Sequence, residues 1–160
     1  MSVPARQRRL GLLIGTALMV FVLDHVTKWL VTQNVRLGAQ VPASGPVTIH
    51  HIENRGAAFG LFPQAQFLFL GVAVAVAIFI IFARHRFGGG VGPQLLLGMV
   101  LGGAVSNAVD RFFQGYVVDF IDLQRWPVFN LADMAIVIGI LLGILTLRMS
   151  PLPRGHDEAA

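Results

Sequence analysis

The stretch GYVVDFIDLQRWPVFNLADM, residues 115–134, decides how the chain is read. An apolar run that starts near Pro93 leads into it, and another leads out of it to about Thr146. Asp119 and Asp133 therefore stand at the ends of long apolar segments. A carboxylate at the edge of a bilayer is costly to keep there, which marks it as a functional-site candidate. Two of them on either side of one short connection are placed to meet in space. A close pair shares one proton, so that one member is ionised and the other neutral. Such a pair offers a base for water and an acid for a carbonyl oxygen or a leaving amine. The reading is hydrolysis of a peptide bond at a membrane surface. The bland reading of the same residues is one helix cap and one solvated interfacial acid.

Composition agrees with a membrane setting. A chain of 160 residues has room for one domain, read here as residues 1–160. With 55% hydrophobic and only 12% charged residues, a disordered chain is excluded and a soluble domain disfavoured. The net charge of +4 forms no stripe, so no nucleic-acid partner is expected. The basic residues gather instead at the ends of apolar runs. The absence of cysteine excludes disulfides, a thiol nucleophile and a cysteine metal site.

The fold class expected is an integral membrane, mainly α protein. Four transmembrane helices are expected over about 10–31, 67–83, 92–113 and 131–147, with a polar tail over 148–160. The first run follows Arg6, Arg8 and Arg9. It is longer than a signal-peptide core, lacks a small-residue cleavage site and contains Asp24 and Lys28, so it reads as a retained helix. Residues 34–66 are polar and irregular, broken by Pro42, Gly45 and Pro46. Residues 47–52 alternate weakly as a short strand, 53–56 read as a turn, and 57–62 read as an interfacial segment. This predicts a small extramembrane β-sheet with an interfacial segment on the outer face. Gly98, Gly102 and Gly103 in the third span permit close helix contact. The amino-terminal arginines, the loop holding Arg84 and Arg86, and the tail arginines fall on one side, expected to be the cytoplasm. The acidic stretch and residues 34–66 then share the outer face.

Several polar groups accompany the pair. Asp24 and Lys28 are four apart on one helix face, either as an internal ion pair or with Lys28 orienting a polar network or a lipid headgroup. Asn107, Asp110 and Arg111 end the third span. Asp110 either neutralises Arg111 or supports the site, with Asn107 and Arg111 as hydrogen-bond donors. Asn130 is placed to cap the fourth helix, to hold substrate backbone, or both. Asn54 can hydrogen-bond an extended peptide, and Gly56 belongs to its turn. Asp122 rivals Asp119, and spacing alone does not choose between them. His50 and His51 lack metal-site spacing, so no metal and no cofactor are expected. Ser106 with Lys28 is a remote serine–lysine alternative, with helix packing the plainer role for Ser106.

Five motifs together resemble those of bacterial lipoprotein signal peptidases (signal peptidase II). They are DHVTK at 24–28, NRGAAF at 54–59, NAVDR at 107–111, VVDF at 117–120 and FNLAD at 129–133. Each is weak alone, but five in order across nearly the whole chain are specific. The resemblance implies an aspartyl endopeptidase of the bacterial inner membrane with cytoplasmic termini and an active site near the periplasmic face. It implies cleavage of diacylglyceryl-modified prolipoproteins just before the lipidated cysteine. It matches the catalytic pair to Asp119 and Asp133, which settles the choice against Asp122. It matches Asn54, Asn107, Arg111 and Asn130 to the substrate site, with Asp24 and Lys28 in support. The expected partners are a lipid-modified prolipoprotein and membrane lipids, with the enzyme acting as a monomer and Phe59 touching the lipid. Rival readings are a proton-coupled transporter, whose charges belong near the midplane, and a non-enzymatic scaffold.

Overall fold

The computed structural model describes residues 5–56, 66–83 and 90–149. The chain runs α1 (Ala5–Asn34), β1 (Gln40–Val41), β2 (Thr48–Asn54), α2 (Gln66–Ala83), α3 (Val91–Phe113), β3 (Val117–Asp122) and α4 (Leu131–Met149). The segments 57–62 and Phe59, the loop arginines Arg84 and Arg86, and the tail from residue 150 lie outside the described residues. The helices extend a little beyond their expected limits, and α4 reaches Met149 where the polar tail was expected from 148.

The helices follow from continuous apolar sequence. α1 is 30 residues long, about 45 Å of helix. Two helical stretches, Gln7–Asn34 and Val91–Phe113, are long and apolar enough to cross a bilayer, and Leu70–Phe82 and Leu131–Thr146 are shorter apolar stretches. Their large side chains face outward: Leu18 is 62% exposed, Phe82 78% and Leu141 56%. So much apolar exterior requires a nonaqueous solvent. The small interior includes Leu13 of α1, Ile80 of α2 and Val100 of α3.

Glycine brings the helices together. A methyl group built on Gly98 would strike Leu13 and Thr16; on Gly102, Ala17; on Gly103, Ala132 and Ile136. α3 is thereby pressed against α1 on one side and against the start of α4 on the other. Van der Waals packing at such close approach is the main attraction available between helices in lipid. The expected close contacts are therefore present, and Gly139 of α4 adds one, since its Cβ would meet Leu96 and Val100.

α3 ends in a left-handed glycine. Gln114 N–H donates to the Asp110 carbonyl at 2.8 Å, and Gly115 at φ 77° donates to the Arg111 carbonyl at 3.2 Å. That turn sends the chain directly into β3. The sheet has the order β1-β2-β3, all antiparallel, with Ile52 opposite Asp119 and Asn54 opposite Val117.

Two expectations change here. Residues 53–56 are not all turn: β2 continues through Glu53 and Asn54, because pairing with Val117 and Val118 satisfies their backbone. Residues 114–130 are not only a connection, since they hold β3. VVDFID is rich in β-branched and aromatic residues but does not alternate, because the strand is buried on nearly all sides.

Overpacking should separate crowded glycines from open ones. Gly102→Val is expected to destabilise the folded protein by about 1–3 kcal/mol, measured as thermal unfolding in detergent. Gly15→Leu, where a Cβ meets nothing within 4 Å, should leave the transition unchanged.

Candidate active site

Asp119 lies in the middle of β3 and is 2% exposed. Three residues on, Asp122 points to the opposite face of the strand. There it meets His50 at 3.2 Å and accepts from the Gln124 backbone N–H at 2.6 Å. The strand thus separates the two rivals that sequence spacing left together. Asp119 is neither solvated nor a helix cap. Asn54 Nδ2 donates to its Oδ2 at 2.8 Å, and Asn130 Nδ2 donates to its Oδ1 at 2.7 Å. The other end of the Asn54 amide accepts from Gly56 N–H at 3.0 Å. Asn54 and Gly56 therefore act as one unit that holds Asp119.

Asp133 is in the first turn of α4, three residues after Asn130. Asn130 Oδ1 accepts from the Asp133 N–H at 2.9 Å, and Asp133 Oδ2 accepts from the Asn130 N–H at 3.3 Å. This is a reciprocal capping box, with Asp taking the place of the usual Glu. Asn130 is thus the cap of α4 and also the link from Asp133 to Asp119. Asp133 Oδ1 accepts from Asn107 Nδ2 at 2.8 Å. Each carboxylate receives two N–H donors, and each oxygen keeps acceptor capacity for water or a shared proton.

The amides are oriented by Lys28, which is buried. Its ammonium has three donors and three acceptors: Asp24 Oδ2 at 2.5 Å, Asp110 Oδ2 at 2.6 Å and Asn107 Oδ1 at 3.0 Å. A cation beside Asn107 requires the oxygen of that amide to face it. The NH₂ group then faces Asp133. Asn130 Nδ2 also donates to Asn107 Oδ1, at 3.2 Å, so its NH₂ group is fixed in turn. Asp24 completes the frame from the other side: Oδ1 accepts from the Ala132 N–H of α4 at 2.8 Å, and Oδ2 from Ser106 Oγ at 2.7 Å. One pair of residues on α1 thus grips both α3 and the start of α4. The lipid-headgroup alternative for Lys28 fails because the side chain is enclosed.

Asp110 serves Lys28 through one oxygen; the other accepts from Gln114 Nε2 at 3.1 Å and lies 3.5 Å from His25 Nε2. Simple neutralisation of Arg111 is therefore not its main task. Arg111 Nη1 donates to the Asn107 carbonyl at 3.3 Å, and its charge is felt most by Asp133, then Asp119, then Asp110. The serine–lysine alternative has no geometric support, since Ser106 donates to Asp24 and meets His25 Nδ1 at 3.0 Å. His51 Nδ1 bonds the Val35 carbonyl at 2.7 Å, which ties β2 to the end of α1. Among the described residues, no group of three or more His, Cys, Asp or Glu is placed to hold a metal.

Sequence reasoning passed over His25 and Gln114, and it weighed Ser106 only for a lysine dyad or helix packing, not for its bond to Asp24. Gln114 follows Asp110 by four, a helical spacing that was available as a signal. The contacts of His25 with Ser106 and Asp110, and of Ser106 with Asp24, carried none, because the partners are separated by some eighty residues.

Burial pushes the Asp119 carboxyl up from its ordinary 3.8 to about 7, and the neighbouring Asp133 charge adds to the rise. The hydrogen bonds from Asn54 and Asn130 and the charge of Lys28 work against it. Asp119 therefore changes charge near neutral pH, where an acid/base group is most effective.

The chain matches the family model described as Signal peptidase (SPase) II over residues 16–149. It is 44% identical over 129 residues to the lipoprotein signal peptidase of Moorella thermoacetica, covering 79% of this chain and 85% of that one. It is 40% identical over 131 residues to that of Halothermothrix orenii, covering 81% and 90%. A bacterial membrane enzyme solved by the in meso method at 2.3 Å superposes with a TM-score of 0.82 at 26% identity, covering 94% of this chain and 95% of that one.

Carboxyl-selective ¹³C NMR of labelled aspartate should find Asp119 titrating near pH 7, and Asp133→Asn should move that midpoint downward. Because the folded state holds this proton more tightly than the unfolded chain, the stabilising contribution is complete below pH 3.8 and is lost as pH rises through about 7. Asp119→Asn should flatten that part of the stability–pH curve.

Proposed function

The chain belongs to the signal peptidase II family of membrane proteases, and from that premise we propose that it removes signal peptides from diacylglyceryl-modified prolipoproteins. Cleavage falls just before the lipidated cysteine, by water activated between Asp119 and Asp133. The observation that carries this reading is the junction at Asn130, whose one side chain bonds Asp119 and caps the turn bearing Asp133.

Near neutral pH Asp119 carries the proton of the pair. Asp133, the carboxylate most strongly coupled to the Arg111 charge, is the ionised member. Asp133 takes a proton from water as the water oxygen attacks the scissile carbonyl carbon. Asp119 gives its proton to the carbonyl oxygen, forming a neutral gem-diol. Asp133 then passes its proton to the leaving nitrogen as the C–N bond breaks, and Asp119 recovers a proton from the diol. Asn54, Asn107 and Asn130 keep both carboxylates in place, and Arg111 biases the charge towards Asp133. Asp24, Lys28 and Asp110 hold the amides, and Gly56 holds Asn54.

The setting proposed is the bacterial inner membrane. All four helices span it, the termini are cytoplasmic and the site lies towards the periplasmic face. The protein acts as one domain and as a monomer. The polar groups sit at the ends of α3 and α4 and in the last third of α1, which supports surface hydrolysis over midplane transport. A substrate with acyl chains in the bilayer then presents its scissile bond at the depth of the pair.

The test uses purified protein in detergent with a lipidated prolipoprotein, read by gel shift. Asp119→Asn and Asp133→Asn are each expected to lower cleavage by at least about a hundredfold while the protein remains folded. Cleavage equal to wild type by either variant would remove that residue from the pair. The wild-type rate should fall as pH rises through about 7, because the shared proton is lost there.

A further inference from the structure

Away from the aspartates, α2, α3 and α4 line a half-open apolar groove of about 270 Å³. Leu96 and Val100 of α3 form its floor, Phe79 and Ile80 of α2 one wall, and Ile140 and Ile144 of α4 the other. We propose that this groove receives side chains of the apolar segment of the substrate's signal peptide while the scissile bond lies between Asp119 and Asp133. The proposal rests on the peptidase reading and adds to it a second recognition site within the membrane.

Alignment with the candidate active site supports this occupant. Ile140 and Ile144 follow Asp133 by seven and eleven residues, spacings that return to the same face of a helix. Val100 and Leu96 precede Asn107 by the same two spacings. On both helices, therefore, the face that carries the polar site continues into the groove. The depth agrees as well. Seven to eleven helical residues span about 10–17 Å, and a signal-peptide core of about 7–15 residues covers that range when helical. A substrate cut at the polar end must run its apolar segment through the bilayer beside this level.

Size and chemistry narrow the choice further. The volume equals that of roughly nine waters, enough for two or three leucine-sized side chains but not for a helix backbone. Gly143 leaves a gap in the α4 wall, since a Cβ built there meets nothing within 4 Å. The groove thus fits knobs projecting from one face of an apolar helix. A bilayer acyl chain is the competing occupant.

The test fills the groove with Gly143→Leu, whose side chain enters open space and lies about 15 Å along α4 from Asp133. Cleavage is measured on a full-length lipidated prolipoprotein and on a lipidated peptide that keeps the scissile bond but lacks the apolar segment. The expected result is a KM about tenfold higher for the full-length substrate at unchanged kcat, with the truncated peptide unaffected. Unchanged kinetics on both substrates would assign the groove to bilayer lipid and overturn the proposal, as would equal losses on both. If wild type cleaves neither substrate, the peptidase reading itself falls. As a second measurement, a photoreactive residue midway along the apolar segment of the full-length substrate, bound to Asp119→Asn protein, should crosslink to the walls of the groove. Adducts confined to other faces would overturn the proposal without any groove variant.

Discussion

The buried ammonium of Lys28 is the constraint on which the rest depends. A charge removed from water is tolerable only when its partners are close and its donors satisfied, and deleting one partner of such a set typically costs about 3–5 kcal/mol. Here three donors meet three acceptors on two helices. Satisfying that single cation fixes the rotation of α1 against α3 and the orientation of the Asn107 amide. The Asn130 amide follows from Asn107, and both carboxylates follow from the two amides. The negative partners are themselves compensated by N–H and O–H donors from Ala132, Ser106 and Gln114. The frame is therefore a closed set of polar groups, and its outer members are the two aspartates of the candidate site.

Short side chains can span these gaps only because the backbones are unusually near. Gly98 and Gly102 bring α3 against α1, and Gly103 brings it against Ala132, the residue whose N–H meets Asp24. Apolar packing and the polar site are thus one piece of geometry. With larger residues at those glycines, Asn107 would stand too far from Asp133 for the 2.8 Å bond that orients it. The left-handed turn at Gly115 plays a matching part for β3, returning the chain at once so that Asp119 comes back beside the helix it has just left.

Much of this was legible in the sequence. The apolar runs gave the helices, and the acids at their ends gave the candidate pair, because an acid beside a long apolar segment has few cheap explanations. The five motifs gave the family. β3 was not legible because VVDFID sets two apolar residues against each acid and is buried on both faces, so it lacks the period of a half-buried strand. Composition reads Glu53 and Asn54 as a turn, whereas strand pairing with a distant segment decides their conformation. The full role of Lys28 was out of reach for a different reason. Its helical neighbour Asp24 already explains it locally, and nothing in linear spacing points to Asp110, 82 residues away.

Asn130 ties two scales of structure together. It caps α4, so its side chain competes with water for the first backbone donors of that helix, and the same side chain holds Asp119. Helix ends are where proteins open most readily, at free energies well below those of global unfolding. Opening of a single turn at Leu131–Asp133 would release the Asp24 contact to Ala132, free Asp133 from its cap and let go of Asp119. Asn130, Ala132 and Asp24 are all fully buried, however, so this helix end cannot fray alone, and the site is as stable as the bundle packed around it.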